Sequence, residues 1–516
     1  MTRHNIVYLL SKISYSKTIS GIAFGRCIGS NRWLHEVIYT MKSHSSCLFF
    51  FIVSLLLAGC SAVPSDKYPS APVPDQWQQP TSTQQVKSSA WINDFNDPQL
   101  ELLILQALAN NHDLKASAGR VEAALAQARI VGADLNPSVD GNLGAQRQRS
   151  NTESNGSVSN NYSTTLNLGV DISWELDLWG RLSSRARAAT LEFEVSEAEW
   201  QAAQLSLSAS VARSWFNLTE AQLQLNLVEQ RLSNLSDNLI TIEEDFKLGL
   251  RDALDVYLAR ADVAGEQARI ANRRSTLLTA RRTLEILLGQ YPEGLITSTK
   301  TLTPLSSPIP SGLPSELLQR RPDLIASQKQ LESTNQLAAA AHADRYPRLT
   351  LTGDVGTSSS DLDNLVSSDY LVWSVFGGLS TPLFDSGRLE AEEERAVANI
   401  KIAEANYNQA LLTAFQEVEE GLINETLLQE QEAALKTASE ESIAAENLAF
   451  DQYQNGLLDF ITVLESQRRS FDAQSTEIEV RNQRLQNRIN LYLALGGAFI
   501  DDTTNTQNDP LPALTP

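Results

Sequence analysis

From Leu166 to Leu178 the chain alternates without a break. Leu166, Leu168, Val170, Ile172, Trp174, Leu176 and Leu178 fall on one side, and Asn167, Gly169, Asp171, Ser173, Glu175 and Asp177 on the other. A period of two over such a length predicts a β-strand with one apolar and one polar face. Half-buried strands of soluble proteins usually run only about 5–6 residues, whereas a long strand of this kind suits a wall between lipid and water. Weaker alternation at Val139, Leu143 and Ala145, at Leu349, Leu351 and Val355, and at Leu371, Trp373, Val375 and Leu379 predicts three more strands. The four expected ranges are 137–149, 162–178, 347–358 and 370–384, with solvated loops over the Asn/Ser/Gly/Asp-rich stretches 150–161 and 359–369. Elsewhere the period changes. Leu225, Val228, Leu232, Leu235, Leu239, Ile242 and Phe246 follow a 3,4 spacing, which is a heptad seam. A weaker counterpart runs through Ile400, Ala403, Tyr407, Ala410 and Ala414. Helices are expected over 98–131, 182–246, 252–289, 315–343, 387–451 and 459–495. A helix of about 60 residues reaches roughly 90 Å and needs neighbours along its length.

The same order of elements occurs twice because the chain is duplicated. Asp113-Leu114-x-Ala116-Ser117 returns as Asp323-Leu324-x-Ala326-Ser327, and Ala133-Asp134-x-x-Pro137 as Ala343-Asp344-x-x-Pro347, both offset by 210. Gly180-Arg181-Leu182 returns as Gly387-Arg388-Leu389, Gly249-Leu250-x-Asp252 as Gly456-Leu457-x-Asp459, and Leu288-Gly289 as Leu495-Gly496, all offset by 207. The expected organisation is repeat 1 over 91–294, a Pro-rich linker over 295–314, repeat 2 over 315–497 and a tail over 498–516.

The N-terminus carries a different signal. Residues 48–58 (LFFFIVSLLLA) form the longest apolar run, too short to span a bilayer as a helix, which needs about 20 residues. With Lys42 before it, the run reads as the core of a signal peptide over 41–59. Leu57-Ala58-Gly59-Cys60 resembles the lipobox of bacterial lipoproteins, which implies a covalent lipid on Cys60. Ser61, where aspartate favours inner-membrane retention, implies export to the outer membrane. Two or more acyl chains suffice for stable anchoring. Residues 1–40 read as an upstream extension from a misassigned start, and 60–90, with Pro64, Pro69, Pro72, Pro74 and Pro80, as an extended tether.

Composition narrows the function. The chain is 42% hydrophobic and 20% charged, which fits a folded protein. Its formal charge is -21; without residues 1–59, which hold 6 Lys/Arg and 1 Asp/Glu, it is -26. Such acidity excludes a nucleic-acid partner, which needs a basic stripe. Three cysteines and five histidines form no metal spacing, and no nucleophile–base pair or phosphate loop is visible, so neither an enzyme nor a cofactor is expected. His112 and His342 read as helix-surface residues.

Four strands cannot close a membrane barrel, and an open edge in lipid would leave backbone groups unsatisfied. Two chains would give 8 strands with little room and three would give 12 with an aqueous lumen, so a trimer is expected. The order of elements, the duplication, the lipobox and the tip sequence Tyr453-Gln454-Asn455-Gly456-Leu457 resemble the TolC-type outer-membrane efflux family, lipoprotein branch, over about residues 90–497. The resemblance implies an α+β membrane protein. Its homotrimer would form a 12-stranded β-barrel in the bacterial outer membrane, continued by a long coiled-coil tunnel in the periplasm. It also implies docking on a periplasmic adaptor and an inner-membrane transporter in a tripartite efflux system for small molecules such as drugs.

Gly249 and Gly456 end one long helix in each half, and Asp252 and Asp459 are placed to cap the next. By resemblance, Gly249, Leu250, Gly456 and Leu457 are the adaptor-docking tips. Ile461, Glu465 and Arg468 lie at i, i+4 and i+7 on one helix face. In similar channels an apolar residue, an acid and an arginine at this spacing make the closed periplasmic aperture; there the acid is usually aspartate. The bland alternative is an ordinary surface pair at i, i+3. The equivalent positions of repeat 1, Leu254, Leu258 and Ala261, carry no charge. Trp174, Trp179, Trp373 and Phe384 are read either as interfacial girdles or as packing where barrel meets tunnel. Two other functions stay open: a channel for type I protein secretion, and a structural coiled-coil envelope lipoprotein.

Overall fold

The computed structural model describes residues 73–78, 91–154, 156–299, 301–305, 312 and 314–497. Cys60, the signal segment, the upstream extension and the C-terminal tail lie outside these residues.

Repeat 1 begins with a 3-10 turn at Trp91–Phe95, followed by α1 (Pro98–Asn110), α2 (His112–Ala133), β1 (Ser138–Ser154), β2 (Ser157–Leu176), α3 (Arg181–Lys247) and α4 (Ala253–Leu287). Repeat 2 has α5 (Leu317–Arg320), α6 (Pro322–Ala343), β3 (Arg348–Ser359), β4 (Leu371–Ser380), α7 (Arg388–Gln454) and α8 (Phe460–Ala494). The duplication read from the sequence is therefore a structural one. The helix expected over 98–131 is two helices. Asn111 breaks it, accepting from Leu114 N at 3.0 Å and donating to Leu287 O at 3.0 Å. An asparagine at an N-cap satisfies a donor that the first turn leaves open.

The strands form one antiparallel sheet in the order β1-β2-β3-β4. The stretch 150–161, expected as a loop, is instead the outer end of a β1–β2 hairpin that stays paired up to Ser154↔Ser157. Its polar residues hid a strand because neither face is covered there. The stretch 359–369 does connect strands, with 3-10 turns at Leu362–Val366 and Ser368–Tyr370. β2 stops at Leu176, two residues before the alternation does, because Asp177 has another task. Its carboxylate accepts from Leu182 N at 3.0 Å and Ser183 N at 2.8 Å. Asp385 does the same in repeat 2, accepting from Leu389 N at 2.9 Å. These two aspartates start the two 67-residue helices.

Register sorts the sheet by polarity. One face carries the rows Val139↔Ile172 and Val170↔Val355↔Trp373, and the other the row Asp140↔Asp171↔Asp354↔Ser374. Most of the apolar face is uncovered, with Val139, Leu143, Trp373, Val375 and Leu379 all exposed; only at the outer end of β3 does the turn carrying Leu365 lie over Thr357 and Ser359.

The long helices pack pairwise, α3 on α4 and α7 on α8, and α8 also lies along α3. The heptad seam of α3 is largely confirmed: Leu225, Val228, Leu235 and Ile242 are buried, whereas Phe246, at the very end, is exposed. The main core gathers where α1, α3, α7 and α8 meet, around Phe95, Trp215, Phe216, Val418 and Ile489. Trp77 joins it. Its Nε1 donates to Gly312 O at 3.1 Å and its ring meets Phe415 edge-on at 6.2 Å, so the stretch read as a tether is docked on the body at this point.

The α3–α8 contact between the repeats carries a ladder of polar side chains among its apolar ones. Gln224 donates to Ser475 O at 2.9 Å and accepts from Ser475 Oγ at 2.9 Å. One heptad along, Asn482 donates to Asn217 Oδ1 at 2.8 Å and to Glu220. Gln486 then donates to Arg213 O at 3.1 Å. Gln224 and Asn482 are buried, so each amide depends on these partners.

Candidate functional site at the hairpin tips

Each long hairpin turns through the same backbone motif. At the first tip Leu250 N–H reaches Asp245 C=O at 2.9 Å and Gly249 N–H reaches Phe246 C=O at 3.0 Å. At the second, Leu457 N–H reaches Gln452 C=O at 2.9 Å and Gly456 N–H reaches Tyr453 C=O at 2.9 Å. This closure needs a left-handed residue, and Gly249 (φ 74°) and Gly456 (φ 71°) supply it. The turn throws Leu250 and Leu457 into solvent, 66% and 72% exposed.

Asp252 and Asp459 occupy the N-cap positions expected of them, but neither side chain makes a capping hydrogen bond. That part of the expectation is corrected. Their carboxylates still lie at the positive end of a helix dipole, which favours a negative charge without a direct bond.

Ile461, Glu465 and Arg468 share an exposed face of α8, as the spacing requires. Arg468 grips Glu465 with Nη2 at 2.9 Å from Oε1 and Nε at 3.1 Å from Oε2. A second arginine, which the sequence reading passed over, joins it: Arg469 Nε donates to Glu465 Oε1 at 2.7 Å. Its i, i+4 spacing from Glu465 was the available signal. Arg469 first, and Arg468 next, hold the Glu465 carboxyl below the usual range. Arg468 also reaches Asp472 at 3.2 Å. One residue earlier on α8, the Phe471 ring lies 4.5 Å from the Arg231 guanidinium and 5.3 Å from that of Arg269. Those arginines belong to α3 and α4, so the helix carrying Glu465 is held by the other repeat. In repeat 1, Leu254 and Ala261 are exposed and Leu258 leans on the apolar cluster of the tip.

The two tips are joined directly. Ile242, Val256 and Ala259 of repeat 1 form one buried cluster with Tyr453, Phe460 and Val463 of repeat 2. Arg251, between the two tip residues Leu250 and Asp252, lies over the Tyr453 ring at 3.9 Å and donates to Tyr453 O at 2.8 Å. It is steadied by Asp245 at 3.3 Å. Tyr453 in turn donates its hydroxyl to Asp255 Oδ2 at 3.3 Å. Burial, and then the Asp255 charge, push the Tyr453 hydroxyl up to about 12, so it is a donor at neutral pH. None of these contacts between repeats could be read from local spacing, because the partners are about two hundred positions apart in sequence.

The aromatic residues divide. Trp174 donates to Leu135 O at 3.0 Å and Trp179 to Pro347 O at 2.8 Å, which ties both to the junction of sheet and helices. Trp373 and Phe384 are exposed. His112 is exposed at the start of α2, whereas His342 is half-exposed and its Nδ1 lies 2.7 Å from Glu393.

The family model described as "Outer membrane efflux protein" matches residues 103–290 and 313–497, one segment in each repeat. "Probable efflux pump outer membrane protein TtgC" of Pseudomonas putida is 32% identical over 471 residues, covering 89% of this chain and 96% of the relative. "Cation efflux system protein CusC" of Escherichia coli is 30% identical over 457 residues, covering 87% of this chain and 98% of the relative. Among solved structures, the outer-membrane channel OprN superposes with a TM-score of 0.77 at 29% identity, over 84% of this chain and 99% of that one. The chain belongs to the outer membrane efflux protein family.

Proposed function

We propose that the protein is the outer-membrane channel of a tripartite efflux system, a duct without a chemical step of its own, and that it works as a lipid-anchored homotrimer. The observation that carries this reading is the two-faced open sheet. Asp140, Asp171 and Asp354 stand side by side across three strands, so their face needs water. The opposite face is an apolar band, exposed except at the outer end of β3, where the turn carrying Leu365 lies over Thr357 and Ser359. Along β2 the band runs from Leu166 to Leu176. That is roughly 34 Å of strand, or about 25 Å of height at a tilt near 40°, the usual apolar height of an outer-membrane barrel. β1 and β4 are both open edges. With four strands, β4 of one chain runs antiparallel to β1 of the next, so head-to-tail closure of three chains completes an all-antiparallel 12-stranded barrel. The long hairpins then continue it as a helical tunnel into the periplasm.

In this reading the tips at Gly249, Leu250, Gly456 and Leu457 dock on a periplasmic adaptor, which couples the duct to an inner-membrane transporter. Ile461, Glu465 and Arg468, with Arg469, line the narrow periplasmic end. Three Glu465–Arg468–Arg469 clusters around one axis make a ring of alternating charge that admits ions and closes the way to larger solutes. Efflux of small molecules is favoured over protein secretion by the efflux relatives. Lipidation at Cys60 predicts that Cys60→Ser loses labelling by a radioactive fatty acid; unchanged labelling would remove the anchor from the proposal.

The test is single-channel current from the purified protein in a planar bilayer, with the mass of the detergent-solubilised particle measured alongside. A trimer with small, cation-preferring conductance supports the shared barrel and acidic duct. A monomer without current defeats it and brings the envelope scaffold forward.

A further inference from the structure

The apolar band ends abruptly on the β1–β2 hairpin and gives way to basic residues. Outward along the apolar face of β1 stand Val139, Gly141, Leu143, Ala145 and then Arg147 and Arg149. On β2 the same rows carry Leu166 opposite Ala145, Thr164 opposite Arg147, and Tyr162 opposite Arg149. β3 ends one row below Arg147, at Ser359 opposite Leu166, so this part of the hairpin stands beyond the four-stranded wall. The guanidinium of Arg147 lies 5.8 Å from the centre of the Tyr162 ring and that of Arg149 5.7 Å. Tyr162 itself is exposed.

The opposite end of the sheet gives the contrast. There every arginine beside the strands has a carboxylate: Arg181 with Glu175 at 2.7 Å, Arg185 with Asp344 at 2.7 Å, Arg345 with Glu393 at 2.6 Å and Arg348 with Asp344 at 2.7 Å. Among the described residues Arg147 and Arg149 have no carboxylate partner, in a chain whose formal charge is -21. Two cations are held side by side on one ring, each with its fork of donors free. At ~3.4 Å per residue and a tilt near 40°, Arg147 and Arg149 lie roughly 5 and 10 Å of height past the edge of the band, at the level of a headgroup layer about 5–8 Å deep and just above it.

We propose that Arg147, Arg149 and Tyr162 form an outward-facing patch that binds the phosphate of a lipid headgroup in the outer leaflet, three patches to a trimer. The inference rests on the barrel reading above, which sets this face toward lipid. Guanidinium groups pair with phosphate through two parallel hydrogen bonds, and the tyrosine ring spaces them at the level where aromatic residues meet headgroups. The bound lipid supplies the negative charge that the protein withholds here and provides everywhere at the other end.

The test uses the full trimer in nanodiscs of zwitterionic phosphatidylcholine doped with a phosphorylated, acylated glucosamine disaccharide as probe. Probe retained by the particle after detergent extraction is counted by native mass spectrometry. Wild type is expected to hold it about tenfold above the bulk ratio, and Arg147→Gln with Arg149→Gln to fall back to bulk. Arg147→Lys with Arg149→Lys, which keeps charge but not the fork, is expected in between. Equal retention by wild type and the glutamine variant overturns the proposal, and displacement by millimolar inorganic phosphate overturns its assignment to lipid. Conductance of the same preparations separates the two levels: conducting trimers without enrichment sink the patch alone, and particles without current sink the channel and the patch together.

Discussion

The two hairpin tips share a backbone and differ in side chains. Both close through the same pair of 5→2 and 6→1 hydrogen bonds around a left-handed glycine. Past that glycine they diverge. Repeat 1 places Leu254, Leu258 and Ala261 where repeat 2 places Ile461, Glu465 and Arg468. Repeat 1 instead spends its charge on Arg251, which reaches across to hold Tyr453 of repeat 2. The two turns share one backbone, and the side chains then diverge: one tip carries the latch and the other the Glu465–Arg468–Arg469 ion cluster. Backbone geometry is thus shared between the repeats because both copies need a turn, whereas charge is not; in the proposed trimer one cluster per chain would suffice.

The comparison can be broken in order of expected effect. Glu465→Ala with Arg468→Ala is expected to raise single-channel conductance severalfold, while Leu254→Ala with Leu258→Ala leaves it nearly unchanged; equal effects would erase the division. Arg251→Ala removes a charge-assisted bond and a ring contact from a largely buried site, a loss of about 1–2 kcal/mol. It is expected to speed hydrogen exchange at both tips, and acceleration at the first tip alone would refute the latch. Gly249→Ala and Gly456→Ala should each cost about 1 kcal/mol, and equally, because each has open space for a methyl group and differs only in forcing an alanine to a positive φ.

The smallest effect is one of pH. Glu465's pKa lies below its ordinary 4.5, so its contacts with Arg469 and Arg468 persist above that value and are lost only as pH falls through the depressed one. Conductance is expected to stay flat from neutrality down to pH 4.5 and to change only below it. Tyr453 has the opposite sign. Raised from 10.0 to about 12, its bond to Asp255 is fully present below the lower figure and is lost as pH climbs through the upper one. A tip that loosens in acid before Glu465 titrates would contradict both assignments.

Much of this was legible in the sequence where one element settles its own geometry. The alternation at 166–178 gave a strand, the heptads from Leu225 gave a buried seam, and the duplicated glycines gave two turns. Errors arose where a residue answers to a partner outside its own element. Asn111 breaks a periodic helix because Leu287 O waits for its amide. Asp177 leaves the strand pattern to start α3. The hairpin at 150–161 has Val158 as its one aliphatic side chain, so no periodicity announced it. Arg251 and Tyr453 were silent because no local spacing connects residues from separate repeats.

The amide ladder between α3 and α8 has a mechanical meaning. An apolar seam slides at little cost, since one leucine replaces another under the same neighbour. Here a shift of even one residue would part Gln224 from Ser475 and Asn482 from Asn217, leaving buried amides unbonded at about 1–3 kcal/mol each. The joint between the repeats therefore works as a detent: each buried amide marks one register, and α8 cannot creep along α3 without stranding them.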